Sequence, residues 1–292
     1  MTSHVQTHSP GNRRAILWMI LAILCFTLMD SGVKALAPRV GVMQTLWARY
    51  TGQMILVLIL VAPRLRSVAR TSYPKLQLWR SILLMATTGF FFLGLSMVPI
   101  TEATALMAVN PVLITLGAAL FLGERLGPRR LVGIGVALLG ALIIIRPGIG
   151  VFSFAALAPL AAAFCYSAYS LVTRKVGPNE DVWTSLFYTG LVGTAVLSCL
   201  VPMFWNTPDL VSLLLMAEIA VVGTAGQLFL IRAFSEGEAA MIAPYGYVGL
   251  IFATIWGALF FAEWPDVWTV CGALVIAGSG IYVWHRESYR KV

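Results

Sequence analysis

The chain has 292 residues, 59% hydrophobic and 11% charged, with twenty Lys and Arg against twelve acids, a formal net charge of +8 and a mean hydropathy of +0.87. Soluble domains run at about 45–50% apolar and about 25% charged, so a soluble fold is excluded and an integral membrane protein is specified. The basic excess does not indicate nucleic acid, because Lys and Arg fall in short clusters between apolar runs instead of along one face.

A helix needs about 20 apolar residues to cross a hydrocarbon core of about 30 Å. In chain order such runs lie near 14–36, 42–62, 79–98, 103–122, 129–146, 152–173, 182–203, 210–233, 239–261 and 266–285. The first follows Arg13-Arg14 and resembles a signal peptide, with Ala35-Leu36-Ala37 as a faint cleavage motif. Pro38 would follow the cut, the run is too long for an h-region and nine spans come after it, so it is expected to be a retained helix. It carries Asp30 and Lys34 one turn apart, and the second span carries Arg49 and Gln53. In the third, Phe90, Phe91 and Phe92 cover nearly every side and read as packing. The fourth holds Asn110-Pro111 and ends on Leu122-Gly123-Glu124. In the fifth, Gly133/Ala137/Ala141 set small side chains four apart, as Ala273/Ala277 do in the tenth; the spacing predicts close helix packing and admits a homodimer. The eighth contains Glu218 and Gln227. The ninth contains Pro244-Tyr245-Gly246-Tyr247 and ends on Phe261-Ala262-Glu263.

Cys25, Cys165, Cys199 and Cys271 each sit alone in an apolar run, and His4, His8 and His285 lie near the ends. Neither a disulfide framework nor a metal site is implied, and no cofactor is expected. The glycines from Gly133 to Gly140 lack the Lys-Ser/Thr ending of a phosphate-binding loop. A membrane enzyme would need a nucleophile with its base or a metal constellation, and neither is present in the sequence.

Ten spans put both termini on one side. With the N-terminus in the cytoplasm, the basic clusters at 13–14, 64–80, 125–130, 174–175, 232 and 286–291 are internal and only Arg39 and Arg146 are external, as the positive-inside rule requires. Tyr50-Thr51-Gly52 recurs as Tyr188-Thr189-Gly190, an offset of 138 residues that also maps Phe26 onto Phe164, and Leu122-Gly-Glu124 is matched by Phe261-Ala-Glu263. The expected fold is therefore all-α, with ten transmembrane helices as two five-helix repeats over 14–146 and 152–285. Five is odd, so the second repeat enters the membrane inverted.

A charge at the bilayer centre costs about 2.5–3.5 kcal/mol on insertion scales, so each one calls for a reason. At 1.5 Å per residue, Asp30, Arg49 and Glu218 all fall roughly 9–12 Å below the outer boundary, a depth that permits one ion-paired cluster around a cavity. Lys34 is one turn further out, where it can snorkel. The plain alternative is a structural Asp30–Lys34 pair with Arg49 as an anchor. The repeat places Ala168, Val172 and Phe187 at the positions equivalent to Asp30, Lys34 and Arg49; the second half builds the same scaffold without charge, which favours function. Pro111 and Pro244 are read as helix breaks that expose carbonyls, with Asn110, Tyr245 and Tyr247 beside them as solute contacts. Gln53 and Gln227 are buried amides that bind a solute or bridge helices. Glu124 and Glu263 are read as structural. Asp30 and Glu218 against Lys34 and Arg49 sum to zero, which suits a neutral or zwitterionic solute.

These features together resemble the EamA-type ten-helix members of the drug/metabolite transporter superfamily. Asp30 with Lys34, Arg49-Tyr50, Arg232-Ala-Phe234 and Ala243-Pro-Tyr-Gly-Tyr247 are more narrowly similar to a subgroup holding bacterial S-adenosylmethionine uptake and riboflavin transporters. The resemblance implies a permease of the bacterial inner membrane with both termini cytoplasmic, working by alternating access on a small solute of the S-adenosylmethionine, riboflavin or amino-acid class. Import of a heteroaromatic or zwitterionic metabolite is the expectation; an amino-acid or metabolite exporter of the same fold, or a non-transporting or lipid-headgroup flippase-type subunit, is the alternative. Glu218 lies outside the pattern, and Ala262 stands where glycine is usual.

Overall fold

The computed structural model describes residues 10–110, 112–114, 116–117, 128–145, 154–176, 180–236 and 243–288. Among these, ten helices of eight residues or more follow one another: α1 Pro10–Val40, α2 Val42–Val61, α3 Pro74–Leu95, α4 Ile100–Met107, α5 Pro128–Ile145, α6 Leu157–Val176, α7 Val182–Leu200, α8 Leu210–Glu236, α9 Val248–Phe261 and α10 Val267–Ser288. Five apolar stretches, in α1, α2, α3, α7 and α8 with their flanking turns, reach 18 residues or more, enough to cross a membrane, and the apolar parts of the other helices are shorter. Large apolar side chains stand exposed on the outside of the bundle, among them Ile59, Leu139, Leu214, Ile251 and Leu274, as a lipid-facing surface requires.

Several ends differ from the sequence expectation, each for a local reason. Helix α1 continues to Val40 with Pro38 inside its last turns, and the chain reverses at Gly41, whose φ of 85° suits glycine. Helix α3 begins at Pro74, in the first-turn position that proline favours, and not near 79. Helix α4 ends at Met107, the amides of Ala108 and Val109 reach back three residues, and helical geometry resumes at Asn110. Pro111, the residue expected to break the fourth span, lies outside the described residues, as does Glu124. In the ninth span a 3₁₀ turn, Ala243–Tyr247, precedes α9; nothing is described of the Pro244 side chain. Ala262 adopts a left-handed φ of 53°, which folds Glu263 back over the end of α9.

Packing follows a two-fold pattern. Helix α1 packs most extensively on α8 and α6 on α3; α8 meets α2 as α3 meets α7; α1 meets α9 as α6 meets α4. Helix α2 packs on α7 and α5 on α10, each with its own counterpart. Exchanging the halves therefore reproduces these most extensive contacts, and the third helix of each half lies against the first helix of the other. The small residues of α5 and α10 serve this interior: a side chain added at Gly140 would stand 3.0 Å from the Gly272 carbonyl oxygen and 2.7 Å from Ile276, and Ala137 and Ala141 are buried. The stripe that admitted a homodimer is consumed within the chain.

Candidate functional site

Close approach of α8 to α1 and α2 assembles the first polar cluster. Asp30 and Arg49 are each 6% exposed and Gln53 is 1% exposed. Asp30 interacts electrostatically with both Glu218 and Arg49, so the three charges that shared a depth in the sequence do share a neighbourhood. Two glycines make room for them. A Cβ at Gly32 would collide with the Glu218 carboxylate, and one at Gly223 would stand 2.7 Å from Arg49 Nε and 2.6 Å from Met29 Sδ.

The hydrogen bonds of this cluster are unequal. Arg49 donates to Gln53 Oε1 at 2.6 Å and to the Gly223 carbonyl at 3.3 Å, while its Nε has no acceptor. Gln53 in turn donates to the Leu186 carbonyl on α7. Both Glu218 oxygens are sealed from solvent without a hydrogen-bond partner. Among the described residues the ion pairs within 4 Å are Lys34–Glu263 and Arg39–Asp209; Arg49 forms none with either carboxylate.

Lys34 does not join the cluster and does not pair with Asp30. Its ammonium sits 2.8 Å from Glu263 Oε1 and donates to the Val98 carbonyl at 2.7 Å, over the ring of Phe261. Glu263 Oε2 accepts the Ile100 amide at the start of α4. The i,i+4 pair gives way because the left-handed Ala262 brings a second-half carboxylate onto Lys34, with a free helix N-terminus beside it. This bolt joins the C-terminal parts of α1 and α9 to the N-terminus of α4. A second tie is made by Gln44, buried at 0% exposure, which donates to the Asn206 carbonyl and accepts from the Asn206 amide, both at 2.9 Å. Lys34 is thus committed elsewhere, and the formal balance of two acids against two bases expected from the sequence is not assembled around Asp30.

The tyrosines go elsewhere. Tyr245 packs with Ala15, Met19, Ala22 and Ile23 on α1 and with Leu230 and Ala233 on α8, at least seven residues, about 10 Å, from Asp30 along α1. Tyr247 packs against Leu106, Val109, Ile144 and Ile276, and its hydroxyl, buried without a partner, lies over Gly280. Asn110 is one face of that region; its Nδ2 approaches Met107 Sδ at 3.9 Å and its buried Oδ1 is unpaired. Neither tyrosine enters the Asp30–Arg49 cluster.

Sequence reasoning missed Arg80. The basic count placed it with the cytoplasmic cluster, at the first residues of the third span; the structure buries it at 1% exposure in α3. Its Nε donates to Thr173 Oγ1 at 3.0 Å, one terminal nitrogen to Gln77 Oε1 and the Ser185 carbonyl, and the other to the Tyr169 hydroxyl at 3.1 Å, with the guanidinium 5.2 Å from the Tyr169 ring centre. Gln77 passes the chain on to Glu180 at 3.2 Å, which also accepts from Thr71. Gln227 on α8 donates to the same Tyr169 hydroxyl at 3.3 Å, and it stands one turn from Gly223, the Arg49 acceptor. The signals were readable: Pro74 marks an earlier helix start, and the 138-residue offset relates Arg80 to Glu218. Equivalent positions in the two halves, Arg80 and Glu218, thus carry opposite charges.

Apolar helices of spanning length arranged as two inverted halves, with charged groups buried where the halves meet, define a polytopic membrane transporter. The sequence profile of the EamA-like transporter family matches residues 13–146 and 153–284, and the chain belongs to that family, an EamA-type permease of the drug/metabolite transporter superfamily. It is 29% identical over 270 residues to the pseudopaline exporter CntI of Pseudomonas aeruginosa, covering 90% of this chain and 93% of that protein. It is 28% identical over 273 residues to the S-adenosylmethionine uptake transporter of Rickettsia prowazekii (93% and 92%) and 30% identical over 282 residues to the riboflavin transporter of Rhizobium johnstonii (94% and 92%). A solved crystal structure matches with a TM-score of 0.63 over 95% of this chain and 97% of its own at 20% identity, which speaks for the fold alone.

Proposed function

We propose that this permease is a secondary carrier that takes up a small polar metabolite across the bacterial inner membrane by alternating access, with both termini in the cytoplasm. The observation that carries it is the cluster of Asp30, Arg49, Glu218 and Gln53: charges buried between α1 and α2 of one half and α8 of the other, without direct ion pairing. Charges inside a membrane protein that do not neutralise one another serve a solute or an ion. Alternating access needs a closure on each side, and the ties supply both: Lys34–Glu263 and Gln44–Asn206 outside, the Arg80 network inside. The basic residues remain on the cytoplasmic side even with Arg80 counted as buried. Of the three relatives described above, one is named for uptake of S-adenosylmethionine, one as a riboflavin transporter without a stated direction and one as an exporter; import is our reading of the subgroup resemblance, and an exporter of the same fold is the alternative.

Proteoliposomes loaded with S-adenosylmethionine, riboflavin or amino acids test this directly. Uptake should saturate and show counterflow, and Asp30→Asn or Arg49→Gln should abolish it while the protein still inserts. Full activity in both variants, or no counterflow with any solute class, would defeat the reading. In the same assay, Arg39→Ala should behave as the unsubstituted protein, since Arg39 and Asp209 form an exposed pair.

A further inference from the structure

The link between α2 and α3 is short, basic and pinned in place. A 3₁₀ turn, Ala62–Arg64, runs into one helical turn, Leu65–Val68, and α3 starts at Pro74. Residues at helical spacing turn inward: Val68 is buried, and it shares one apolar cluster with Leu65, Ala69 and, on α7, Val182, Trp183 and Leu186. Three further contacts fix the link. The Tyr188 hydroxyl donates to the Ala69 carbonyl at 2.9 Å, Thr71 donates to Glu180, and the Arg64 guanidinium lies 5.4 Å from the centre of the Trp183 ring. Arg64, Arg66, Arg70 and Lys75 remain exposed.

The positive-inside rule accounts for the sign of these four residues but not for their being held in one place. Among the described residues none of the four lies within 4 Å of a carboxylate. The neighbouring acids are engaged: Glu180 accepts from Thr71 and Gln77, and Asp181 caps the Trp183 amide at the start of α7. On either side of the link the outer surface of the bundle is apolar. Ile59 and Leu60 stand exposed at the end of α2, and Leu78 and Trp79 in the first turns of α3, Trp79 one turn from Lys75. A fixed cationic rim above an apolar wall is the complement of a molecule with an anionic head and hydrocarbon tails.

We infer that the α2–α3 link is a binding site for the headgroup of an anionic phospholipid, with Arg66, Arg70 and Lys75 as its contacts and Arg64 beside them over Trp183. The acyl chains lie against the exposed apolar residues of α2 and α3. On the topology proposed above the link faces the cytoplasm, so this lipid belongs to the inner leaflet. The inference is independent of which solute the carrier moves.

Two lipids that share phosphate and tails and differ in net charge give the test. Full-length protein in dodecyl maltoside is titrated with dioleoyl phosphatidylglycerol or dioleoyl phosphatidylcholine, and bound lipid is counted by native mass spectrometry. Each basic side chain close to an anionic surface contributes about fivefold. Phosphatidylglycerol should therefore bind at least about 25-fold more tightly, and Arg66→Gln combined with Arg70→Gln should lower that preference by about 25-fold. Both side chains are exposed, so the packed face of the link stays intact. Arg14→Gln combined with Arg39→Gln removes as much charge from exposed positions elsewhere and should leave the preference unchanged. Equal binding of the two lipids, an equal loss in both double variants, or a preference that survives in the Arg66/Arg70 variant would overturn the inference. Inorganic phosphate at the same concentration should not displace phosphatidylglycerol; if it does, the link takes a free anion and the lipid assignment falls.

Discussion

Arg80→Ala should open the cytoplasmic side. Three of the four Arg80 bonds cross between halves, to Thr173 and Tyr169 on α6 and to the Ser185 carbonyl on α7, while Gln77 lies on its own helix. At about 1 kcal/mol net per bond, the crossing bonds favour the closed inner end by about 3 kcal/mol, roughly 150-fold in the closed-to-open ratio. Closing also strips water from the guanidinium, and the Tyr169 ring at 5.2 Å offsets only part of that; the expected change therefore lies between about tenfold and about 150-fold. Thr189 gives the readout. It is 2% exposed on α7, one turn above Ser185, and its hydroxyl bonds only the Ser185 carbonyl within its own helix, so Thr189→Cys is a small change. In a chain with Cys25, Cys165, Cys199 and Cys271 replaced, a membrane-impermeant thiol reagent should label this cysteine faster in Arg80→Ala by that factor in inside-out vesicles and at an unchanged rate in right-side-out ones. Arg80→Lys, which keeps the charge and loses the fork, should fall between. An unchanged inside rate in a variant that elutes as a single species would show that Arg80 is a packing residue and not a latch.

The glycines give opposite signs according to what faces them. Gly223→Ala gains about 1 kcal/mol of helix propensity but drives a methyl group within 2.7 Å of Arg49 and 2.6 Å of Met29; overpacking of about 1–3 kcal/mol outweighs the gain, and detergent melting should fall. Gly135→Ala and Gly278→Ala, where an added Cβ meets nothing within 4 Å, should raise it, and a fall in all three would show that these helices are not packed as described. Lys34→Met strands the Glu263 carboxylate, with side chains 14% and 26% exposed, and should cost about 1–3 kcal/mol; the double variant with Glu263→Gln should recover most of it in a thermal melt, and failure to recover would mean that the pair is not coupled. At the mouth of α8, the Ser212 hydroxyl and amide hold the Asp209 carboxyl below the usual carboxylate range. Its depressed folded value makes its contribution present above the unfolded value near 3.9 and lost as pH falls through the folded one. Asp209→Asn should therefore flatten the acid limb of the melting profile, and an identical limb would deny Asp209 that role.

Hydropathy and the odd number of helices per half carried the fold, because the bilayer admits little else: span count, inversion and the depth of Asp30, Arg49 and Glu218 all follow from lengths along single helices. Partnership was harder to read, since it depends on how helices far apart in the chain are turned toward each other. Lys34 had an acid four residues away and found a nearer one 229 positions on, because Ala262 turns the chain left-handed where glycine was expected. Tyr245 and Tyr247 stand two positions apart in one motif yet face different neighbours, because a 3₁₀ turn rotates successive side chains by about 120° and sets the two in separate clusters. Arg80 was hidden by a boundary error of five residues, which a proline at the first helical position would have corrected. What connects these residues is the repeat itself. Helix α3 lies on α6 as α8 lies on α1, so the position of Glu218 in one half has a counterpart in the other, and there the chain has placed Arg80, a cation with neutral partners. Gln227 joins the two, one turn from the Arg49 acceptor and bonded to the Tyr169 hydroxyl that Arg80 also grips. Any movement of α8 is thereby felt at Tyr169, and through it at Arg80.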